Sequence, residues 1–255
     1  MLNQAEQRRE NIISLINREG KVRVTALSKL YGVSEVTIRS DLEYLESTGS
    51  ITRVHGGAVA KDKLYIDMDV AERFNTNSSA KRALAAKLSE LINDDDTIIL
   101  NSGTTLMYVL RALKGKNNIT ILTNSISNAT EASSYYGFNV TLLGGLMETK
   151  YGFTYGPDAI SQLEKYHASK CILSVDGVTG ADGLSIYYSS ESDLIRKMIS
   201  CSDCVIVAAD SSKIGRNTFS RVCPISDVDI VVTSKSDDPK EIESIRDAGV
   251  KVYEA

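Results

Sequence analysis

The run Leu100-Asn-Ser-Gly-Thr-Thr105, followed by the helical pattern of residues 106–113, is the sharpest chemical feature of the sequence. A small hydroxyl-rich turn between a strand and a helix gathers backbone N–H groups around an anion at the helix N-terminus. The hydroxyls of Ser102, Thr104 and Thr105 join them, with Gly103 between. No G-K-[ST] follows, so this is not a Walker loop, and no G-x-G-x-x-G is present, so it is not a dinucleotide loop. Taken alone, the run reads equally well as an ordinary strand-to-helix turn capped by threonine. It does not stand alone. Other short apolar stretches end in Thr123-Asn-Ser125, Gly144-Gly145, Asp176-Gly177 and Asp210-Ser-Ser-Lys213. If those ends share one edge of a sheet, hydroxyls, the Asn124 amide, carboxylates and Lys213 converge. A phosphorylated polyol needs such partners: donors for the phosphate, carboxylates and amides for the hydroxyls.

The elements that must position these residues are seven short, apolar, β-branched runs: 97–100, 119–123, 139–143, 171–175, 205–209, 229–232 and 250–253. Helical patterns separate most of them. This alternation predicts an α/β domain with a mainly parallel sheet covered on both faces, in which ligands bind at the carboxyl ends of the strands. A helix over 78–92, with Leu84, Leu88 and Leu91 on one side, opens the domain.

The first sixty residues follow another plan. Residues 4–18 predict a helix with Ala5, Ile12, Leu15 and Ile16 on its apolar stripe, stopping at Gly20. Val22-Arg-Val24 alternates like a strand. Thr25 caps a short helix over 26–31 that buries Leu27 and Leu30, Gly32-Val33 turns, and Ser34 caps a helix running to Ser47. Two short helices joined by a glycine turn match a helix-turn-helix. On the second of them Ile38, Leu42 and Leu45 face the core, leaving Val36, Arg39, Ser40 and Glu43 outward and Thr37 on the flank. Val36 is suited to a thymine methyl and Arg39 to a guanine edge or a phosphate; the other reading of Val36 is a stray exposed apolar residue. Ser34 and Thr37 at the helix N-terminus read as phosphate clamps. After Gly49, Ile51 and Val54 flank Arg53, and Gly56-Gly57 reverses the chain. This predicts a β-hairpin wing with Arg53 and His55 toward phosphates, His55 being equally a turn residue.

Composition sets limits on this reading. Hydrophobic content of 42% and charged content of 24% are those of a globular chain. Residues 1–61 carry nine Lys/Arg against seven Asp/Glu, a balance of +2 that leaves −6 for the rest of a chain at −4. Any polyanion-binding surface therefore belongs to the first segment. No apolar run is long enough for a membrane span, and the polar start carries no signal peptide, so a cytoplasmic protein is expected. Cys201 and Cys204 have the spacing of a redox or zinc pair. With no second such pair and neither His55 nor His167 nearby in sequence, the four cysteines read as reduced thiols, and no metal or cofactor is expected.

The run Val33-Ser-Glu-Val-Thr-Ile-Arg-Ser-Asp-Leu-Glu-Tyr-Leu45, then Gly49 and Arg53-Val-His-Gly-Gly-Ala58, resembles the DeoR family of bacterial repressors. The family's usual form is V-S-x-x-T-I-R-R-D-L-x-x-L with R-x-H-G-G-A after it. Ser40 stands where the second arginine is common, which weakens one DNA contact and shifts operator preference. From Arg73 onward the chain resembles the family's C-terminal domain, itself similar to ribose-5-phosphate isomerase and glucosamine-6-phosphate deaminase. The resemblance implies a phosphate loop at 102–105 assisted by Lys81. It also implies a sugar pocket lined by Asp176, Gly177, Glu191, Arg196 and Lys213, with Arg196 equally a structural salt bridge. Ser192 replaces a common alanine, and Val232-Thr-Ser234 replaces a usual T-D ending.

These readings together predict a winged helix-turn-helix over 1–58, a linker over 59–76 and a sugar-phosphate-binding, oligomer-forming domain over 77–255. The expected function is a DNA-binding regulator, a homodimer or homotetramer on operator DNA, responsive to a phosphorylated sugar. The alternative is an isomerase or deaminase tethered to DNA, since Asp176, Glu191 and Lys213 make acid–base chemistry conceivable.

Overall fold

A computed structural model describes residues 4–19, 21–48, 50–60, 68–236 and 238–255. The stop at Gly20, the turn at Gly49 and residues 61–67 of the expected linker lie outside the described residues. The chain divides into two compact units, Met1–Met68 and Asp69–Ala255.

The first unit runs α1 (Gln4–Glu19), β1 (Lys21–Arg23), α2 (Val24–Tyr31), α3 (Glu35–Ser47), β2 (Ile51–Val54) and β3 (Gly57–Ala60). Ile12 and Ile16 of α1 meet Leu27 of α2 and Ile38, Leu42 and Leu45 of α3 in one core, closed below by Val22, Ile51 and Ala58. The three strands form one antiparallel sheet with β3 in the middle, so the expected wing hairpin and the isolated strand before α2 are parts of one sheet. Arg53 and Val54 pair with Ala58 and Gly57, so His55-Gly56 forms the reversal and Gly57 already lies in β3. A side chain at Gly57 would strike the carbonyl of Val22.

Two expectations are corrected here. Helix α2 begins at Val24 rather than after Thr25, with Arg23 at its N-cap and no side-chain cap. The Val24 N–H, which the helix itself leaves without a partner, instead donates to the Gly56 carbonyl at 2.9 Å, so the wing's turn satisfies the helix end and no hydroxyl is needed. Leu30, expected inside, is 62% exposed. Ser34 does cap α3, accepting from the Thr37 N–H at 3.1 Å.

The second unit opens with α4 (Val70–Asn75) and α5 (Ser78–Ser89). Val59 in β3 and the helix α4 take up both ends of the stretch 59–76 that the sequence reads as linker. Seven parallel strands follow: β4 (Thr97–Leu100), β5 (Ile119–Thr123), β6 (Phe138–Leu142), β9 (Lys170–Leu173), β12 (Val205–Ala208), β14 (Ile230–Thr233) and β15 (Lys251–Glu254). All seven expected strands are present, each displaced by two residues or fewer at either end. Side chains alternate strictly. Ile98, Leu100, Ile172 and Ile206 face a core shared with α5, α6 (Thr104–Ala112) and α7 (Ile126–Ser133). Ile99, Cys171, Leu173, Val205 and Val207 face the other, shared with α8 (Pro157–Leu163), α9 (Ser189–Ser200) and α10 (Pro239–Asp247). A parallel sheet buried on both faces needs this near-continuous apolar run in every strand.

Across the sheet the order is β6-β5-β4-β9-β12-β14-β15. The chain starts at β4, builds outward through β5 and β6, then returns to β9 beside β4 and builds the other way. The loops after β4 and β9 therefore leave the sheet in opposite directions and open a crevice between them. Two small additions escape sequence reading: a hairpin of β7 (Leu146–Glu148) and β8 (Phe153–Tyr155), and a three-stranded sheet of β10 (Gly177–Thr179), β11 (Gly183–Ile186) and β13 (Ser220–Cys223). Strands of three or four residues are too short to show a period. Among the described residues no helix is long and apolar enough to cross a membrane. Cys171, Cys201 and Cys223 are buried and Cys204 half-buried, all as free thiols.

The first unit contains a buried acid. Asp41 on α3 is 2% exposed and takes the Nε groups of Arg8 at 2.6 Å and Arg9 at 2.8 Å. This clamp fixes α1 on α3. Asp41→Ala should lower the unfolding free energy of this unit by about 3 kcal/mol, the low end for a broken buried pair because both arginines reach solvent once released. The urea midpoint of that transition measures it; an unchanged midpoint would refute the clamp.

Candidate functional site

The first unit presents a polar face built on α3. Because Ile38, Leu42 and Leu45 are pinned in the core, helical geometry turns Val36, Arg39 and Ser40 outward, and Val36 is 75% exposed. Ser34 and Thr37 sit at the helix start with their hydroxyls 2.9 Å apart. Arg39 pairs with Glu35 at 3.3 Å, and Arg53 on β2 pairs with Glu43 at 2.8 Å. Both are surface ion pairs, worth less than about 1 kcal/mol, so a phosphate can take either guanidinium. His55 is exposed at the hairpin turn. All seven residues singled out in this unit lie on α3, its cap or the hairpin.

In the second unit the crevice between β4 and β9 is closed at its floor by one side chain. Asn101 donates from Nδ2 to the Ser174 carbonyl at 2.9 Å and accepts the Ser174 N–H at 2.8 Å. Gly103 follows at φ +142°, and a Cβ there would lie 2.7 Å from Cβ and 2.8 Å from Oγ of Ser174. Only glycine permits this approach. The chain then enters α6 at Thr104, with Thr104 and Thr105 both nearly buried in its first turn.

Two clusters flank this loop. At Thr104, the buried ammonium of Lys81 on α5 donates to Oγ1 at 3.1 Å and to the Arg73 carbonyl at 2.5 Å. Burial pulls the Lys81 pKa down to about 8, with Asp210 opposing and Lys213 and Arg73 adding to the fall. Lys213, also buried, comes from the turn Ser211–Lys213 after β12. Asp210 at the start of that turn accepts from the Ser212 N–H at 3.0 Å and from Asn77 at 3.3 Å. Ser234, at the end of β14, holds the same turn by accepting the Ser211 N–H at 2.9 Å.

At Ser102 the lining is acidic. Glu191 on α9 is buried, and its carboxylate accepts from Ser102 Oγ at 3.0 Å, Ser102 N–H at 3.3 Å and Asn124 Nδ2 at 2.9 Å. Burial pushes its pKa up, Asn124 and Ser102 pull it back, and the charge of Asp176 adds to the rise. Asp176 accepts the Tyr187 N–H at 3.0 Å. Asn124 also donates to the Thr154 carbonyl at 2.9 Å, and its own Oδ1 is buried without a partner.

Of the sequence-selected residues, Lys81, Ser102, Gly103, Thr104, Asn124 and Glu191 are thus brought together, Thr105 adjoins them, and Asp176 and Lys213 act on them through charge. Gly177 does something else: a Cβ there would lie 2.3 Å from the Arg216 carbonyl, so it serves close packing at the start of β10. Arg196 is exposed and donates to the carbonyls of Arg221 and Val222 at 3.0 and 3.1 Å and to Asp193 at 2.6 Å, which makes it a structural clamp on β13. Sequence reading misses Arg73, whose carbonyl meets Lys81 and whose guanidinium lies 4.3 Å over the Tyr151 ring, and Tyr188, whose ring lies 4.6 Å from that of Tyr151 at a tilt of 50°. Arg73 lies within the stretch 59–76 read as linker, where the family resemblance begins, and neither reading gives it a role. Among the described residues no group of His, Cys, Asp and Glu is arranged to hold a metal ion.

Residues 8–63 match a family profile described as a DeoR-like helix-turn-helix domain, and residues 76–235 match one described as the DeoR C terminal sensor domain. The chain is 35% identical over 246 residues to the HTH-type transcriptional regulator YulB of Bacillus subtilis, covering 96% of this chain and 95% of that protein. It is 32% identical to the lactose phosphotransferase system repressor of Streptococcus mutans over 92% of this chain and 94% of that one. Against the HTH-type transcriptional repressor GlcR of Bacillus subtilis it is 30% identical, over 90% and 88%. Among solved structures, ribose 5-phosphate isomerase A from Neisseria gonorrhoeae aligns with 56% of this chain and 54% of that chain at 20% identity, with a TM-score of 0.40, too slight a likeness to carry an argument.

Two measurements test the geometry. Gly103→Ala should destabilise the second unit by about 1–3 kcal/mol from backbone strain alone. Adding Ser174→Gly should recover only the part due to the clash, as seen in thermal midpoints. The folded pKa of Lys81, about 8, lies below its unfolded value near 10.5, so between those pH values the unfolded state binds the extra proton. The cost of burying the charge is fully present below pH 8 and is relieved above it. The stability of the protein relative to Lys81→Met should therefore rise from pH 8 to pH 10.5; a flat difference would contradict the buried, proton-shedding lysine.

Proposed function

The chain belongs to the DeoR family of transcriptional regulators, and from that premise we propose that it is a repressor of a carbohydrate-utilisation operon whose second unit binds a phosphorylated sugar. The observation that carries the effector reading is the loop at the reversal of the strand order. Its Thr104 hydroxyl is bonded to the buried Lys81, with Lys213 nearby. This basic end suits a phosphate, held by hydroxyls, the α6 N-terminus and two lysines. The opposite end, with Glu191, Asp176 and the unpartnered Asn124 Oδ1, suits sugar hydroxyls, which donate to acceptors. One relative is named for the lactose phosphotransferase system, in keeping with a sugar-linked role.

In the first unit, Val36 and Arg39 read base edges from the major groove. Ser34, Thr37, Arg53 and His55 hold phosphates, and Ser40 gives this chain a weaker contact than an arginine there would make. The protein works in the cytoplasm as a homodimer or homotetramer, presenting paired α3 helices to paired half-sites. The sugar phosphate favours the state with lower operator affinity, with a coupling of about 1–3 kcal/mol. The reading as an isomerase or deaminase rests on Glu191, whose raised pKa suits an acid–base catalyst. A recognition helix serves no catalytic purpose, and the regulator is preferred.

Arg39→Ala should abolish operator binding in gel shifts while leaving ligand-induced thermal stabilisation intact. Ser102→Ala combined with Lys213→Ala should bind operator normally and no longer respond to ligand. Loss of operator binding in the latter pair would overturn the division of labour. Thermal shifts against a panel of pentose, hexose and amino-sugar phosphates identify the effector, since a ligand bound only to the folded state raises the midpoint. Product appearing by NMR at enzyme-like rates would overturn the sensor reading.

A further inference from the structure

The first element of the second unit is fastened to the candidate phosphate loop through its backbone. Helix α4 starts at a capping box of Asp69 and Glu72, directly after residues 61–67. In its last turn the Arg73 carbonyl accepts from Lys81 Nζ at 2.5 Å and from Thr104 Oγ1 at 3.4 Å. The next carbonyl, of Phe74, accepts from Tyr108 Oη at 3.1 Å, and the Phe74 ring stacks on Tyr108 at 4.6 Å. Thr104 and Tyr108 both belong to α6, the helix that begins at the loop. Three of the groups that hold α4 thus come from the site's lysine and the helix that carries its threonine.

The donors are few. A hydroxyl has one proton, and Thr104 directs its proton to the Arg73 carbonyl while accepting from Lys81. A phosphate oxygen that takes this proton removes it from the carbonyl. The ammonium of Lys81 has three protons, one on the Arg73 carbonyl and one on Thr104, and a dianion draws it off the neutral carbonyl because two opposite charges attract more strongly than a charge and a dipole. Burial sharpens the preference, because the lysine is 2% exposed and water offers little compensation.

We propose that the Arg73 carbonyl is a built-in competitor of the ligand's phosphate for Lys81 and Thr104, so that filling the loop loosens α4, the helix that leads back along the chain to the DNA-binding unit. The inference rests on the reading of 102–105 as a phosphate loop and adds the route by which occupancy leaves the site. Lys81 and Thr104 are then relay residues as well as ligand contacts, and α4 is the element whose packing the ligand alters.

Hydrogen exchange on the full chain tests this, with inorganic phosphate added as the probe. The amides of Arg73 and Thr76 are bonded to Asp69 and Glu72 in the absence of ligand and report on α4. Phosphate should slow exchange across 102–106 and speed it across 70–77 by at least about fivefold, the low end of allosteric couplings. Protection at 102–106 with unchanged or slower exchange at 70–77 would overturn the relay while leaving the phosphate loop standing. No protection at 102–106 would remove the phosphate loop and the relay together. Lys81→Met should exchange fast at 70–77 without phosphate and gain nothing on its addition. Thr104→Ser, which keeps the hydroxyl, should behave as the unaltered chain, whereas Thr104→Val should not; equal behaviour of the two variants would also overturn the proposal.

Discussion

The second unit depends on the reversal of strand order between β4 and β9. Two neighbouring parallel strands whose connections diverge must leave a gap, and a gap at the end of a buried sheet exposes backbone groups that need partners. Asn101 meets that need with both ends of its amide, on the N–H and the carbonyl of Ser174. The bridge draws the two loops so close that residue 103 has no room for a side chain. The loop geometry, the start of α6 and the inward aim of Thr104 follow from that closeness. The chemistry of the site is downstream of a packing constraint.

Both flanking clusters hold charge where water is scarce. Lys81 is kept from its ordinary pKa by burial, and Glu191 is pushed the opposite way. Burying a charge is costly even when it is hydrogen-bonded, so the site is less stable than an apolar one of the same shape would be. A ligand that bonds these groups more strongly than their present partners do gains from that cost. Strain of this kind lets a small molecule shift the balance between two states of its receptor.

Much of this was legible in the residues. The seven sheet strands could be found because strands buried on both faces are apolar throughout, and their carboxyl ends could be compared once found. Helix α3 could be read face by face because Ile38, Leu42 and Leu45 leave one rotation open. Other features left no trace. The hairpin of β7 and β8 and the sheet of β10, β11 and β13 are too short for periodicity. Leu30 is apolar yet lies outside, because α2 spans only two turns and Leu27 already occupies its inner side. Arg73 was hidden for another reason: its main contact with the site is a backbone carbonyl, which any residue type would supply. Arg196 carried a family motif but works on β13, since the helix turns it away from Glu191.

The clamp between α1 and α3 also bears on how the first unit meets nucleic acid. Arg8 and Arg9 are half-buried and paired with Asp41, so two of its nine basic residues and one of its seven acids are engaged with each other. The remaining balance, seven against six, is close to neutral. The salt sensitivity of DNA binding grows with the number of phosphates that basic side chains neutralise, so two arginines committed to Asp41 add little to counterion release. The salt dependence of the unit's hold on nucleic acid then falls to the basic side chains left outside, Arg39 and Arg53 among them.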